Sequence, residues 1–346
     1  MKKFIFFRFI LLIKFIIFLI LIIHLFKIIF KKKIIYLKSL NLYEFKMSNN
    51  SLLIEKIKSD YNNNTFAIIK DTCKTCGLFA YYIHYLGCIK TYTSEGYIPI
   101  IDLQSFPNVF NGFRINYTDK NPWELFFYQP YGFEIKKVLN YSKNIHYFTC
   151  KHFYNNYPHH HIYVNNILLD LWHNIALKYI PIKNEIIIEV DNIRSQLFKG
   201  SNNVLGILAR GTDYLTTKPK KHPIPPNSKL MIKDIKEMHN KNNYDLFFIT
   251  TEDELIREEF IKEFHNKLKY FKSKQNIIYN YRNKKVLSIN KDIKGNFNYM
   301  KIYLVNIIIL SKCLDIITAR TSGSIGAFVL TNGFRNIKVY YLGEYK

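Results

Sequence analysis

The sequence predicts an α/β protein whose strands form parallel sheets, preceded by an N-terminal hydrophobic helix. Three observations support this. Short apolar runs alternate with helical patterns along most of the 346 residues. Several of these runs lead directly into polar loops, as strands do at the carboxyl edge of a parallel sheet. Residues 4–30 consist mainly of Ile, Leu and Phe, unlike the mixed composition that follows.

The N-terminal run predicts a membrane-anchor helix over residues 1–38. Its longest stretch without Lys or Arg, Phe15 to Phe26, has 12 residues, fewer than the roughly 17–25 that cross a bilayer. A helix lying in the headgroup plane is therefore the alternative to a spanning one. Lysines are more frequent after the run (Lys27, Lys31–Lys33, Lys38) than before it, which predicts a cytoplasmic body.

The charge pattern argues against a nucleic-acid partner. The formal net charge is +24, and nine of the positive charges lie in residues 1–38, where there is no acidic residue. No helix-turn-helix, zinc-finger or RNA-binding motif accompanies the remaining charge.

The five cysteines do not form the even, regularly spaced set of a disulfide framework. Cys73 and Cys76 form a single C-x-x-C without a second pair, which favours two reduced cysteines in a loop over a zinc or redox site. Reduced cysteines agree with a cytoplasmic body.

After a polar tether over residues 39–64, the first domain is predicted over residues 65–199. Its elements are a strand, a helix and a second strand, which together form a βαβ unit: Phe66–Lys70, Leu78–Ser94 and Tyr97–Leu103. Residues 162–198 are expected to hold a further strand and a helical segment.

Two stretches of the first domain could form part of a binding site, but each also has a purely structural interpretation. The aromatic segment Asn121–Pro130 suits a sugar-stacking wall and a buried loop equally well. Pro158 with His159–His161 favours an exposed turn over a metal site, because consecutive histidines cannot all face one ion from a regular element.

The second domain is predicted over residues 200–346 as a Rossmann-like domain. Its predicted strands are Val204–Ala209, Tyr244–Thr250, Asn276–Tyr279, Asp315–Ala319 and Ile337–Leu342. Its predicted helices are Lys229–Lys241, one that starts after a Thr251 cap, Tyr299–Cys313 and one that starts near Ser322.

Three polar loops follow three of these strands and should open on one sheet edge: Arg210–Asp213, Thr250–Asp253 and Arg320–Ser324. Two arginines and a helix N-terminus are suited to a diphosphate. Simpler explanations are an Arg210–Asp213 ion pair and a helix cap at Thr321–Ser324. Glu252 and Asp253 could cap a helix or bind a metal ion. No Walker loop or GxGxxG motif is present, which excludes nucleotide hydrolases and dehydrogenases.

Four ordered motifs over residues 200–332 resemble the fucosyltransferase superfamily of α1,6-, nodulation and protein O-fucosyltransferases. The family's His-Val-Arg-Arg-Thr-Asp-Lys falls on Leu208–Tyr214, and its His-Pro-Ile on His222–Ile224. Its Ala-Thr-Asp-Asp resembles Thr250–Asp253, and its Leu-Ser helix end, strand and Ser/Thr turn resemble Leu310–Ser324.

The resemblance implies a GT-B fold, in which two Rossmann-like domains face each other across a cleft. It also implies metal-independent, inverting transfer from a GDP-linked sugar. Arg210 and Asp213 are the implied catalytic residues. The resemblance also implies donor-site roles for Asp253 and for one hydroxyl among Thr321, Ser322 and Ser324. With the residues that the loops themselves indicate, the predicted donor-binding residues are Arg210, Thr212, Asp253, Arg320, Thr321, Ser322, Gly323 and Ser324. The family's histidine and second arginine are replaced by Leu208 and Gly211, and the general base is unassigned.

The sequence thus predicts a membrane-attached glycosyltransferase that moves fucose or a related hexose from a GDP-sugar to a cell-surface glycan. Its expected partners are the nucleotide-sugar donor, a glycan acceptor and the membrane, with no metal cofactor. The alternatives are a metal-dependent glycosyltransferase that uses Glu252 and Asp253, and a catalytically silent membrane protein that binds a nucleotide or a glycan.

Overall fold

The structure is a computed structural model that describes residues 61–346 except for Asn62, Thr212 and the segments 116–119, 151–155 and 272–292. For residues 213 and 293–296 it describes the backbone alone. The predicted membrane anchor, nearly all of the tether and the strand predicted over residues 276–279 lie outside these residues. Among the helices of the described part, none combines the length and the apolar character needed to cross a membrane.

Tyr61–Lys346 form one compact unit that contains two parallel sheets. The first sheet has the strand order β2-β1-β3, where β1 is Phe66–Lys70, β2 is Ile98–Ile101 and β3 is Ile145–Thr149. Helix α1, Leu78–Ser94, connects β1 to β2. The predicted βαβ unit is therefore confirmed. Strand β3 was not predicted, because it is an edge strand whose exposed His146 and Tyr147 break the apolar run.

Helix α2, Ile135–Tyr141, lies between β2 and β3. The segment between the two sheets is helical and contains α3 (Asn166–Tyr179) and α4 (Asn184–Phe198). The strand predicted within residues 162–198 is wrong. The β-branched run there belongs to α4, which buries Ile186 and Val190, four residues apart on one helical face. Packing of that face outweighs the strand propensity of the run.

The aromatic segment Asn121–Pro130 is a buried loop and forms no sugar-stacking wall. Trp123, Phe126 and Phe127 are fully buried. The side chain of Asn121 accepts from the Leu103 N–H (3.0 Å) and donates to the Ile101 carbonyl (2.6 Å). The loop thus satisfies the backbone at the end of β2, where no further strand does so.

The second sheet has five parallel strands in the order β6-β5-β4-β7-β8. They are β4 (Val204–Leu208), β5 (Leu246–Thr250), β6 (Leu268–Lys269), β7 (Asp315–Ala319) and β8 (Ile337–Tyr340). The helices are α5 (Asp213–Thr216), α6 (Ser228–Asn242), α7 (Glu254–Phe264), α8 (Ile293–Ser311) and α9 (Ser322–Leu330). Four of the five predicted strands are present. The two-residue strand β6 is too short to leave a sequence pattern.

Helix α9 joins the two sheets, because it packs against α1, α3 and α8. At Gly326, an added Cβ would lie 2.1 Å from a ring carbon of Phe79 on α1. The imidazole Nδ1 of His173 on α3 lies 2.7 Å from the Val329 carbonyl oxygen of α9. Residues from both sheets consequently share one hydrophobic core.

The expectation of reduced cysteines is wrong, because the structure contains two disulfides. Cys73 pairs with Cys76 in the turn after β1, and Cys88 on α1 pairs with Cys150 directly after β3. Cys313 is free and buried. The spacing rules failed here because α1 and the end of β3 are 62 residues apart in sequence and meet only through the pairing of β1 with β3.

A buried carboxylate holds the start of β7. Asp315 is fully buried and accepts hydrogen bonds from Arg335 Nε (3.1 Å) and Nη2 (2.8 Å), the Asn336 backbone N–H (3.0 Å) and the Tyr244 hydroxyl. Burial alone would raise the pKa of Asp315, but the hydrogen bonds from Arg335 and Asn336 lower it below its usual value.

We predict that Asp315→Ala lowers the free energy of unfolding by at least about 1–3 kcal/mol, the cost of leaving the buried Tyr244 hydroxyl without its acceptor. Urea unfolding measures the change. Glu237→Ala, which removes an exposed carboxylate 4.0 Å from Lys233 on α6, is the control and should change it by less than about 0.5 kcal/mol. Equal effects of the two substitutions would contradict the role of Asp315.

Candidate functional site

The three predicted polar loops do lie at one edge of the second sheet. They follow β5, β4 and β7, which are neighbours in that order. At the end of β4, Leu208 pairs with Thr250 on one side and with Thr318 on the other. The strand order reverses between β4 and β7. In open α/β sheets, the crevice at such a reversal is the usual ligand site.

Arg210 follows β4 and is held by a carboxylate from the β5 loop. Its Nη1 lies 2.8 Å from Glu252 Oε1, and the same oxygen accepts the Gly211 backbone N–H at 3.0 Å. The side chains of Arg210 and Glu252 are 22% and 9% exposed. The guanidinium also lies 4.6 Å from the centre of the Tyr214 ring. Arg210 is therefore oriented at the sheet edge and partly open to solvent.

The ionic partner that the structure shows for Arg210 is Glu252, which sequence reasoning had linked only to capping or a metal. Asp213, the predicted partner, is the first residue of α5, and its side chain is outside what the structure describes. Thr212 is outside it altogether. The assignments of Asp213 and Thr212 to the site remain predictions.

Asp253 is a buried helix cap. Its Oδ1 accepts the backbone N–H groups of Leu255 (3.1 Å) and Ile256 (3.2 Å) at the start of α7. The cap predicted at Thr251 is thus two residues too early. Thr251 Oγ1 instead accepts the Asp253 N–H at 3.1 Å.

Asp253 also explains why Gly211 stands where the resembled family has an arginine. A Cβ on Gly211 would lie 2.5 Å from Asp253 Cβ and Oδ2. Real Cβ atoms do not come that close, so the loops after β4 and β5 can pack together only with a glycine at this position.

The turn after β7 is a capping box at the start of α9. Thr321 Oγ1 accepts the Ser324 backbone N–H at 3.1 Å, and Ser324 Oγ accepts the Thr321 N–H at 2.9 Å. The predicted helix cap is confirmed. Ser324 is fully buried, whereas Ser322 is half-buried at the first helical position. The first N–H groups of a helix have no partner within it and can bind an anion.

Position 323 requires a glycine because of a packing contact within the protein. An added Cβ would lie 2.1 Å from the Tyr303 hydroxyl of α8. Desolvation raises the pKa of Tyr303, while the charge of Arg210 lowers it and that of Glu252 raises it. Gly323 therefore lets Tyr303 fill the space between α8 and the start of α9, close to the Arg210 loop.

The sequence predicted that the three consecutive histidines form an exposed turn, and this prediction is wrong. They lie half-buried in a short 3₁₀ turn, and the His159 and His160 rings are 4.2 Å apart. The next residues bring this turn against α9, because the Tyr163 hydroxyl lies 2.7 Å from Ser324 Oγ. The sequence of the histidine run could not predict this contact, because Tyr163 and Ser324 are 161 residues apart.

The histidines are neutral at pH 7. Burial and the positive charge of Arg320 are among the causes that lower the pKa of His159 to about 4 and that of His160 to about 3. Burial also lowers the pKa of His161. The turn thus contributes uncharged imidazoles to the surroundings of Arg320.

Two buried nitrogen atoms near this turn have no hydrogen-bond partner among the described residues. They are His160 Nδ1 and Arg320 Nε. The Arg320 guanidinium carbon lies 3.9 Å from the centre of the Tyr341 ring. Since buried polar atoms are normally paired, a polar ligand or water is expected beside Arg320.

In the part of the chain that the structure describes, no cluster of three or more His, Cys, Asp or Glu residues could hold a metal ion. Of the carboxylates proposed for the metal-dependent alternative, Glu252 pairs with Arg210 and Asp253 caps α7. Both have protein partners, which disfavours that alternative. Metal-independent transfer remains a prediction.

Several solved structures are similar to this chain, and the three described here are fucosyltransferases. The α1,6-fucosyltransferase NodZ soaked with GDP-fucose is 12% identical, with a TM-score of 0.45 over 78% of this chain and 93% of that one. NodZ from Bradyrhizobium is 12% identical, with a TM-score of 0.45 over 78% and 94%. POFUT1 in complex with GDP is 9% identical, with a TM-score of 0.46 over 81% and 99%.

No protein-family model matches the sequence, and no curated protein is similar enough to count as a match.

We predict that Gly211→Ala lowers the free energy of unfolding by about 1–3 kcal/mol, because the new methyl group collides with Asp253. Urea unfolding checks this. In an Asp253→Gly background the colliding side-chain atoms are gone, so the same substitution should cost clearly less. An equal cost in both backgrounds would show that the contact with Asp253 is not the cause.

Acid should destabilise the protein through the histidine turn. His159 and His160 are neutral when folded but protonate near pH 6.5 when unfolded. Their contribution is therefore present above pH 6.5 and is lost as the pH falls toward 4. In melting-temperature measurements from pH 7 to 4, His159→Asn/His160→Asn should show a shallower fall than the unaltered protein. Parallel curves would contradict the neutral, buried state of these rings.

Proposed function

We propose that this chain is a glycosyltransferase that binds the diphosphate of a nucleotide-sugar between the loops after β4 and β7. One observation carries the proposal. Arg210 and Arg320 follow the two neighbouring strands between which the sheet order reverses, and the residue after Arg320, Thr321, is the N-cap of α9. Two guanidinium groups and a helix N-terminus at one crevice match a doubly charged diphosphate.

In this proposal, Arg210 binds the phosphates and stabilises the leaving group. When the bond between the sugar and the diphosphate breaks, negative charge grows on the phosphate oxygens. A donor that is already oriented stabilises this charge in the transition state. Glu252 provides the orientation, since its Oε1 lies 2.8 Å from Nη1 of Arg210.

The start of α9 is proposed to share the phosphate charge. Thr321 and Ser324 hold the capping turn, and Gly323 accommodates Tyr303. The group most suited to contact phosphate is therefore Ser322, with its backbone N–H and half-buried side chain. Asp253, deeply buried as a cap, acts on this site by fixing the β5 loop, which carries Glu252.

The donor proposed is a GDP-sugar, with fucose or a related hexose, transferred with inversion and without a metal ion. This assignment rests on the four sequence motifs. The acceptor, proposed to be a cell-surface glycan, would approach from the side of the histidine turn (His159–His161), whose imidazoles are neutral. The hydrophobic run of residues 4–30 is proposed to attach the body to a membrane.

The test of the donor site is Arg210→Ala. We expect turnover with GDP-fucose or a related GDP-hexose to fall by at least about a hundredfold, from the loss of one charge-assisted donor. GDP at about 100 times its dissociation constant should stabilise the unaltered protein by about 2.7 kcal/mol and the variant much less. Thermal shift with GDP, UDP and ADP measures the selectivity.

Lys233→Ala is the matched control, because it removes one positive charge from an exposed side chain of α6. It should leave the GDP shift unchanged. Unaltered turnover in the Arg210→Ala variant, or no shift with any of the three nucleotides, would refute the proposed site. Loss of activity in EDTA that manganese restores would favour the metal-dependent alternative.

A further inference from the structure

Four of the five cysteines are paired, and one of the pairs lies inside the core. Cys88 and Cys150 are buried, and their disulfide links α1 to the end of β3 across 62 residues. Cys73–Cys76 closes the turn after β1. Cys313, which forms no disulfide, is buried between α8 and β7. Because Cys88 and Cys150 are both buried, their disulfide is part of the packed core and not a surface contact.

Disulfides of this kind form and persist in oxidising compartments and are rare where glutathione and thioredoxin keep thiols reduced. Each bond forms when two thiols lose two electrons and two protons to the disulfide of an oxidoreductase or of oxidised glutathione. The structural cysteines therefore favour the non-cytosolic side of a membrane for residues 61–346, against the expectation drawn from the lysines that follow the N-terminal run.

A second, independent feature lies on the surface of the part of the chain that contains the first sheet. Asn140, Tyr141 and Ser142 form an Asn-x-Ser tripeptide, the acceptor signal for N-linked glycans in secreted proteins. Asn140 is exposed in the last turn of α2, and Ser142 follows that helix in an extended conformation. The neighbouring Lys136 and Lys137 are exposed as well.

The other tripeptides of this kind begin at Asn49, Asn63 and Asn116, and none occurs in residues 200–346. Asn63 is exposed before β1, and the other two lie outside the described residues. The signal is thus confined to the part of the chain that precedes the proposed donor-binding sheet.

We propose that the body of this protein folds in an oxidising compartment and carries an N-linked glycan on Asn140. The Asn140 amide nitrogen forms a bond to the anomeric carbon of a sugar, whose bond to the diphosphate of a lipid-linked oligosaccharide breaks, and the amide loses one proton. The N-terminal hydrophobic run then enters the membrane with Lys2, Lys3 and Arg8 on the cytosolic side. This proposal is independent of the reaction that the protein catalyses.

The test expresses the full chain in eukaryotic cells and digests the extract with peptide-N-glycosidase. We expect an electrophoretic shift that the enzyme removes. One glycan-sized step of it should be lost in Asn140→Gln and in Ser142→Ala and kept in Ser142→Thr, which preserves the signal. Asn144→Gln, which alters an exposed asparagine outside any such tripeptide, should also keep it. An unchanged shift in Asn140→Gln would overturn the site.

Thiol labelling tests the compartment without any substitution. In denaturant without reductant, one thiol of the five, Cys313, should react with an alkylating reagent, and all five should react after reduction. Peptide mapping without reduction should show Cys88 joined to Cys150. Five reactive thiols before reduction, together with no glycosidase-sensitive shift, would place the body in a reducing compartment and overturn the proposal.

Discussion

The packing of helix α9 between the two sheets is the contact on which the rest of this structure depends. Its Gly326 takes the Phe79 ring of α1 into van der Waals contact, and its Gly323 receives the Tyr303 hydroxyl of α8. A methyl group at either position would lie 2.1 Å from its neighbour, so larger residues would push the elements apart. Because Arg320 directly precedes Thr321, the N-cap of α9, the same contact determines where that arginine lies relative to the histidine turn.

The polar edge of the second sheet is held together by a small number of shared atoms. One oxygen of Glu252 accepts both from the Arg210 guanidinium and from the Gly211 backbone. Asp253, the next residue, caps α7 and fills the space that a larger residue at position 211 would need. The loops after β4 and β5 are thereby coupled. The orientation of Arg210 consequently depends on the turn between β5 and α7, which carries Glu252 and Asp253. This coupling is what makes Arg210 a preorganised donor in the proposed reaction.

Two features of the part of the chain before residue 200 differ from what its sequence pattern predicts. The consecutive histidines are neutral and half-buried, and four cysteines form disulfides. The positive charge of Arg320 helps to lower the pKa of His159 and His160, after burial, and so keeps these imidazoles unprotonated. Cys88 and Cys150 bond to each other because β1 pairs with β3 and so brings the end of β3 beside α1. Both features involve partners more than 60 residues away, and no local spacing rule describes them.

The sequence by itself determined the α/β class, four of the five predicted strands of the second domain, and the meeting of the Arg210, Thr250 and Arg320 loops at one edge. These follow from local periodicity and from the geometry of parallel sheets, which act over a few residues at a time. Only the tertiary structure decided that Glu252 is a partner of Arg210, that Asp253 is a cap requiring Gly211, that Asn121–Pro130 is buried, and that four cysteines are paired. Each of these depends on which distant side chain occupies the neighbouring space, and the periodicity of a single chain carries no record of that.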